Sequence, residues 1–211
     1  MKVIYTAIFG DYDTLKEPLV ITPGWKYICY TDQDFESKVW EIKKVKLEVD
    51  NPQYFARLYK IKFYDYVETE FSIWIDGSFQ IACNLNDWWD KYFKAPITCI
   101  QHPWRKCLYE EAEVCIEQNR GDAEDIQIQV KDYDKLGIKK NLGLIQSGIL
   151  MRQKCEKINY LCEEWLEQVE LYSNRDQISF SFIFKDYHAI TNWKYFDNKD
   201  FIFTKHIKKH V

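Results

Sequence analysis

The sequence predicts a single α/β domain: a central, mostly parallel mixed sheet of about six strands flanked by helices. Short β-branched and aromatic runs alternate with amphipathic stretches along the whole chain. At 211 residues the chain fits one hydrophobic core, and no internal repeat or low-complexity linker divides it. The domain is therefore read as spanning 1–211, in a chain that could itself be the N-terminal part of a longer polypeptide.

The elements follow in order. Residues 3–9 read as the first strand, ending in the turn Gly10-Asp11-Tyr12-Asp13. Residues 25–30 and 39–45 read as the next two strands. Asn51-Pro52 starts a helix, with Asn as N-cap and Pro at the first helical position. That helix is expected to run to about residue 67, with Phe55, Leu58, Tyr59, Lys62 and Phe63 on one face. Residues 71–75 form a short apolar strand of the buried type that stops at Asp76. Asn84 or Asn86 caps a short helix through Trp88 and Trp89, and residues 97–100 form a strand ending at Gln101-His102-Pro103. Helices are expected over 106–118 and 122–136, the second closed by Gly137, then a strand over 144–151 and a helix over 156–171. Residues 178–184 read two ways: Ile178, Phe180, Phe182 and Phe184 alternate like a strand, while Asn174 and Asp176 look like a helix entry. Residues 201–204 form a last short strand.

Composition excludes several classes. A net charge of −4 argues against a general affinity for nucleic acid, although Lys205-His206-Ile207-Lys208-Lys209-His210 is a local basic run. No apolar stretch approaches the ~20 residues that span a bilayer. The N-terminus has one Lys and a short β-branched run, so it reads as a strand rather than a signal peptide, and a cytoplasmic monomer is expected. Seven scattered cysteines without a Cys-x-x-Cys pair read as reduced thiols, not as a disulfide framework or zinc site. Aromatics reach 17%, which serves a core and could also furnish a cleft with rings that stack on a base or a sugar.

The chemistry centres on Asp76. Ligands of open α/β sheets gather at the carboxyl ends of strands. A carboxylate there, followed by Gly77 and Ser78, presents hard oxygen ligands of the kind Mg²⁺ or Mn²⁺ prefers. Taken alone, Asp-Gly is also a common turn dipeptide, and Asp76 reads equally as a turn cap. The first strand ends in small and polar residues whose backbone can hydrogen-bond a base edge while Tyr12 stacks on it. Arg57 and Lys60 lie about one helical turn apart, suited to phosphate or, more plainly, to solvated surface charge.

Several segments resemble, in order, a glycosyltransferase-like family spread through plants, bacteria and large viruses, including chlorella-virus capsid-glycan transferases. They are residues 5–13, Ile28-Cys29-Tyr30-Thr31-Asp32, Arg57-Leu58-Tyr59-Lys60, Trp74-Ile75-Asp76-Gly77-Ser78, His102-Pro103-Trp104-Arg105 with Tyr109-Glu110-Glu111-Ala112, residues 143–148, and residues 173–180. The resemblance implies a GT-A (Rossmann-like) fold, a UDP-sugar donor carrying a hexose or 6-deoxyhexose, a glycan or glycoprotein acceptor, and a Mn²⁺ or Mg²⁺ cofactor. If viral, the chain would work in the host cytoplasm.

More distantly, the layout is similar to the family-8 retaining transferases. Their D-x-D motif, Asn-Ser-Gly strand start and Asp-Gln pair correspond in order to Asp76-Gly77-Ser78, Gln146-Ser147-Gly148 and Asp176-Gln177. The resemblance places Asp76 and Ser78 at the metal. Thr6, Ala7, Phe9, Tyr12, Asp13, Arg57, Lys60, Asp76 and Gly77 would meet the donor nucleotide. Gln146, Ser147, Gly148, Asp176 and Gln177 would meet the donor sugar, the last two as catalytic residues. A C-terminal His is implied as third metal ligand; His206 is the candidate, with Lys205 or Lys208 reaching the diphosphate, although the His-x-x-Gly-x-x-Lys-Pro-Trp motif is absent. His102 and His188 are expected to be structural or acceptor-side. Ser78 replaces the second Asp and Gln146 the usual Asn, which weakens the metal site and alters the sugar contact. Retention is implied; inversion would make Asp176 a general base. A non-catalytic carbohydrate-binding module is the alternative, and a phosphoesterase or nucleotidyltransferase would need more clustered carboxylates or histidines.

Overall fold

The alternating strand and helix signals assemble into a seven-stranded sheet covered on both faces. The structure is a computed structural model that describes residues 1–184, 191–194 and 199–204. Its first half contains β1 (Lys2–Ile8), β2 (Trp25–Thr31), β3 (Glu41–Lys44), α1 (Pro52–Ile61), α2 (Phe63–Tyr66), β4 (Phe71–Ile75), β5 (Phe79–Ile81) and α3 (Leu85–Tyr92). Then come β6 (Ile97–Gln101), α4 (Leu108–Glu117), α5 (Ala123–Lys135), β7 (Ile145–Gln153), α6 (Glu156–Leu171), α7 (Asp176–Ile183), β8 (Thr191–Lys194) and β9 (Phe201–Phe203). The sheet order is β3-β2-β1-β4-β7-β6-β8, and β5 pairs with β9 in a separate antiparallel ribbon.

Strands β3, β2, β1 and β4 are mutually parallel, and β6 is parallel to β8. Strand β7 runs antiparallel to both β4 and β6, so the sheet is mixed. Side chains alternate between its faces. Tyr5, Phe9 and Trp74 join Phe55, Tyr59, Phe63, Trp165 and Phe180 under α1, α6 and α7. Ile4, Ile8, Ile73 and Met151 join Trp25, Trp40, Trp88 and Trp89 on the other face. A third, smaller cluster of Leu108, Ala112, Cys115, Ile126, Tyr133 and Ile178 ties α4, α5 and α7 together. Each fully buried Ile or Phe in these clusters contributes about 1.5–3 kcal/mol.

Asn51 caps α1 as expected, its side chain accepting from the Tyr54 N–H at 3.0 Å. The helix does not continue to residue 67. It breaks at Lys62, because the Lys60 carbonyl is taken by the buried Arg152 guanidinium instead of a following N–H. Asn84, not Asn86, caps α3. The ambiguous segment is helical: α7 buries Ile178 in the third cluster and Phe180 against Trp165. Strands β5 and β8, three and four residues long, were too short to stand out as apolar runs. All seven cysteines are free. Among the described residues no helix is long and apolar enough to cross a membrane.

Candidate functional site

The carboxyl ends of β1 and β4, the start of β7 and the N-terminus of α7 converge on a cleft of about 1070 Å³. Its first wall is the turn after β1. Gly10 adopts φ +62°, and a Cβ there would stand 2.4 Å from Pro52 Cγ, so only glycine lets β1 turn directly against the start of α1. The Gly10 N–H donates to the Asp32 carboxylate at 3.1 Å. Lys16 Nζ donates to the Gly77 carbonyl at 2.6 Å and pairs with Asp13 at 3.3 Å, fastening this loop to the turn after β4. Tyr12 lines the wall as a neutral phenol: burial, then the neighbouring Asp13, push its hydroxyl up to about 12.

Asp76 forms the floor. Its N–H donates to Gly148 O at 2.8 Å, and its Oδ1 accepts from Trp74 Nε1 at 2.7 Å. The side chain remains 37% exposed. Gly148 keeps the space beside Oδ2 open, since a Cβ there would lie 3.2 Å from that oxygen and 2.7 Å from the Phe79 ring. Ser78 is buried at the cleft wall, and its carbonyl accepts from Thr204 N at 2.8 Å and Thr204 Oγ1 at 2.9 Å. Among the described residues no three His, Cys, Asp or Glu side chains are grouped to hold a metal ion. The half-open Asp76 carboxylate fits a hard cation that takes its other ligands from phosphate oxygens and water.

Lys60 links the floor to the third wall. It is buried, with Nζ 2.6 Å from Asp176 Oδ2, 3.5 Å from Asp76 Oδ1 and 3.0 Å from Ser147 Oγ, to which it donates. Arg57 Nε lies 3.7 Å from Asp176 Oδ1, and its Nη1 is buried without a hydrogen-bond partner. Burial alone would raise the Asp176 carboxyl; the charges of Lys60 and Arg57 outweigh it and hold the group well below the usual carboxylate range. Its place in the first turn of α7 adds the favourable end of the helix dipole. For Arg57, burial is the larger influence and Asp176 the opposing one, and the net direction is downward. Gln177 lines the cleft, and its Nε2 donates to Ile145 O at 2.8 Å.

The far wall continues β6. His102 Nδ1 accepts from the backbone N–H of Trp104 at 3.2 Å and of Arg105 at 2.9 Å, and the Arg105 Nη2 lies 2.9 Å from Nε2. Burial and then Arg105 lower the His102 imidazole, against the opposing charge of Glu111. Glu111 is buried between Arg105, at 2.6 Å, and Arg175, at 3.4 Å. Arg120 lines the same wall.

The structure thus brings together Ala7, Phe9, Tyr12, Asp13, Arg57, Lys60, Asp76, Gly77, Ser78, Gln146, Ser147, Gly148, Asp176 and Gln177 around one cleft. The Phe9 ring is committed to the core against Phe55 and Tyr59. Thr6 is the exception: its side chain is buried inside the sheet, its hydroxyl is unpaired, and it does not line the cleft. Arg57 and Lys60 are not solvated surface charge but buried or nearly so. Lys205, His206 and Lys208, as well as His188, lie outside the described residues. Trp74, Glu111, Arg120 and Arg175 were not anticipated as site residues; Arg175 reaches Glu111 across 64 residues, whereas Trp74 bonds Asp76 only two residues away.

A strand-end carboxylate in a cleft at the edge of the parallel half of a mixed sheet is the layout of a GT-A glycosyltransferase-like domain. The sequence matches the TOD1/MUCI70, glycosyltransferase-like domain family over residues 30–210, and the chain belongs to that family. It is 22% identical over 222 residues to "Probable hexosyltransferase MUCI70" of Arabidopsis thaliana, covering 90% of this chain and 38% of that protein's length. The fold is similar to that of the galactosyltransferase LgtC, solved with donor and acceptor sugar analogues. The TM-score is 0.50 at 11% identity, covering 92% of this chain and 73% of that one.

Proposed function

We propose that this domain transfers a hexose or 6-deoxyhexose from a UDP-sugar to a glycan hydroxyl, with retention at the anomeric carbon. The observation that carries the reading is the pairing of a half-open, strand-end Asp76 with a buried Lys60 that also grips Asp176. Tyr12 and the turn after β1 take the base, while Arg57 and Lys60 donate to the diphosphate and stabilise the charge that develops on the departing UDP. Asp76 and Ser78 would hold Mn²⁺ or Mg²⁺, with His206 as the proposed third ligand, and the cation would supply charge neutralisation at the same diphosphate. Gln146, Ser147 and Gln177 position the sugar hydroxyls.

Asp176 suits a role as an electrostatic partner of the sugar and not as a base. A carboxylate held ionised far below its usual range by two cations accepts a proton reluctantly. That disfavours inversion through Asp176 and favours front-face attack, in which the leaving phosphate takes the acceptor's proton.

Calorimetry with UDP, with and without Mn²⁺, tests the donor site. Binding should strengthen with Mn²⁺ and lose that dependence in Asp76→Ala; equal binding by both proteins removes Asp76 from the metal. Released UDP from a panel of UDP-sugars identifies the donor, and NMR of the product's anomeric centre must report retention. Glycan binding without nucleotide binding would instead indicate a carbohydrate-binding module.

A further inference from the structure

We infer that residues 102–105 form the acceptor-sugar subsite, with the Trp104 indole as the platform on which a pyranose ring stacks. This names the acceptor side of the site proposed above and rests on that reading for the word acceptor. Trp104 is 80% exposed, the most exposed large hydrophobic side chain among the described residues, and it lines the same cleft as Asp76 and Asp176. Exposing an indole forgoes the gain from burying one of the largest apolar side chains, and its place in the lining of the cleft sets this ring where a ligand can cover it.

The loop beneath the indole is held by hydrogen bonds. The His102 N–H donates to Leu144 O at 2.8 Å, its ring accepts from the backbone of both Trp104 and Arg105, and it meets the Trp104 ring edge-on at 5.8 Å. Arg105 is anchored to the buried Glu111. A platform held this way loses little conformational entropy when a ligand settles on it.

Sheet order gives the side. Tyr12 and Arg57 belong to the β1 end, whereas this loop continues β6, beyond β4 and β7. Three strand spacings, about 14 Å, separate the two ends. The donor sugar at Asp176 and Gln177 lies on α7, which begins beside β7, between them. The chemistry of the indole selects the ligand class. Its electron-rich face attracts the weakly positive C–H groups of a pyranose face, and Arg105 and Arg120 on the same wall can donate to hydroxyls.

The test uses the full chain with UDP and Mn²⁺, a panel of methyl pyranosides as probes, saturation-transfer NMR for sugar contact, and calorimetry for UDP. At least one methyl pyranoside should receive saturation on its ring C–H face. Trp104→Ala should weaken that binding about tenfold or more, Trp104→Phe should retain most of it, and UDP affinity should be the same in all three proteins. Equal sugar binding in Trp104→Ala, no pyranoside bound by the parent, or a loss of UDP affinity in Trp104→Ala would each overturn the assignment. Sugar binding through Trp104 in a parent that does not bind UDP would preserve the platform and sink the transferase reading instead.

Discussion

Lys60 joins the two carboxylates of the cleft, and with Arg57 it ties the charge of Asp176 to the stability of the fold. The folded-state value of Asp176 is depressed, so its ion pairs stabilise the fold above the unfolded carboxylate value, about 3.9. That contribution is lost as pH falls below this value towards the folded one. Asp176→Asn should cost about 3–5 kcal/mol near neutral pH, because it strands two buried cations. It should also lose less further stability than the parent between about pH 4 and pH 2. Urea unfolding across that range reads both effects, and parallel acid loss in the two proteins would assign the dependence to other carboxylates. Asp76 was singled out because it ends an apolar strand and Asp176 by resemblance to an Asp-Gln pair, and both line the one cleft. The burial of Lys60 was not legible in the sequence. Helical periodicity put Lys62 on the apolar face, and the helix end that turns Lys60 inward is set by Arg152, 92 residues later.

At the scale of elements, local signals gave the starts of helices and the ends of strands. Asn51-Pro52 is a complete start signal, and its energetic share can be isolated. Asn51→Ala removes the bond from Tyr54 N–H and should lower stability by about 1 kcal/mol while leaving UDP affinity unchanged. Denaturant titration and calorimetry on the same variant check both halves; a fall in UDP affinity would mean that the frayed end of α1 reaches Arg57. Direction and mutual placement were illegible. Nothing in an apolar run says that β7 runs against its neighbours, because side-chain alternation is the same in both directions. The phenylalanines of α7 mimicked a strand for a related reason. A helix buried on several sides lacks the single apolar stripe that marks an amphipathic one. The far wall of the cleft was hidden likewise, since Glu111 meets Arg175 across 64 residues.

For the whole molecule, the cleft lies where the parallel half of the sheet, β3 to β4, meets the half built on β7, β6 and β8. Lys60 on α1 grips Ser147 on β7 and Asp176 on α7. A donor held by Tyr12 and Arg57 on one side and by Gln146 and Gln177 on the other would fasten the same two halves. Any ligand that binds only the folded state stabilises it by mass action, by about 2.7 kcal/mol at a hundred times its dissociation constant. For a domain of this size that corresponds to a rise in Tm of about 5–10 °C. Melting curves should therefore show such a rise with UDP and Mn²⁺ together, a smaller one with UDP alone, and no Mn²⁺-dependent part in Asp76→Ala. Trp104→Ala, which alters only the acceptor wall, should keep the full rise. A rise of equal size with and without Mn²⁺ would mean that Lys60 and Arg57 carry the diphosphate by themselves, and that the exposed oxygen of Asp76 faces the sugar rather than a metal.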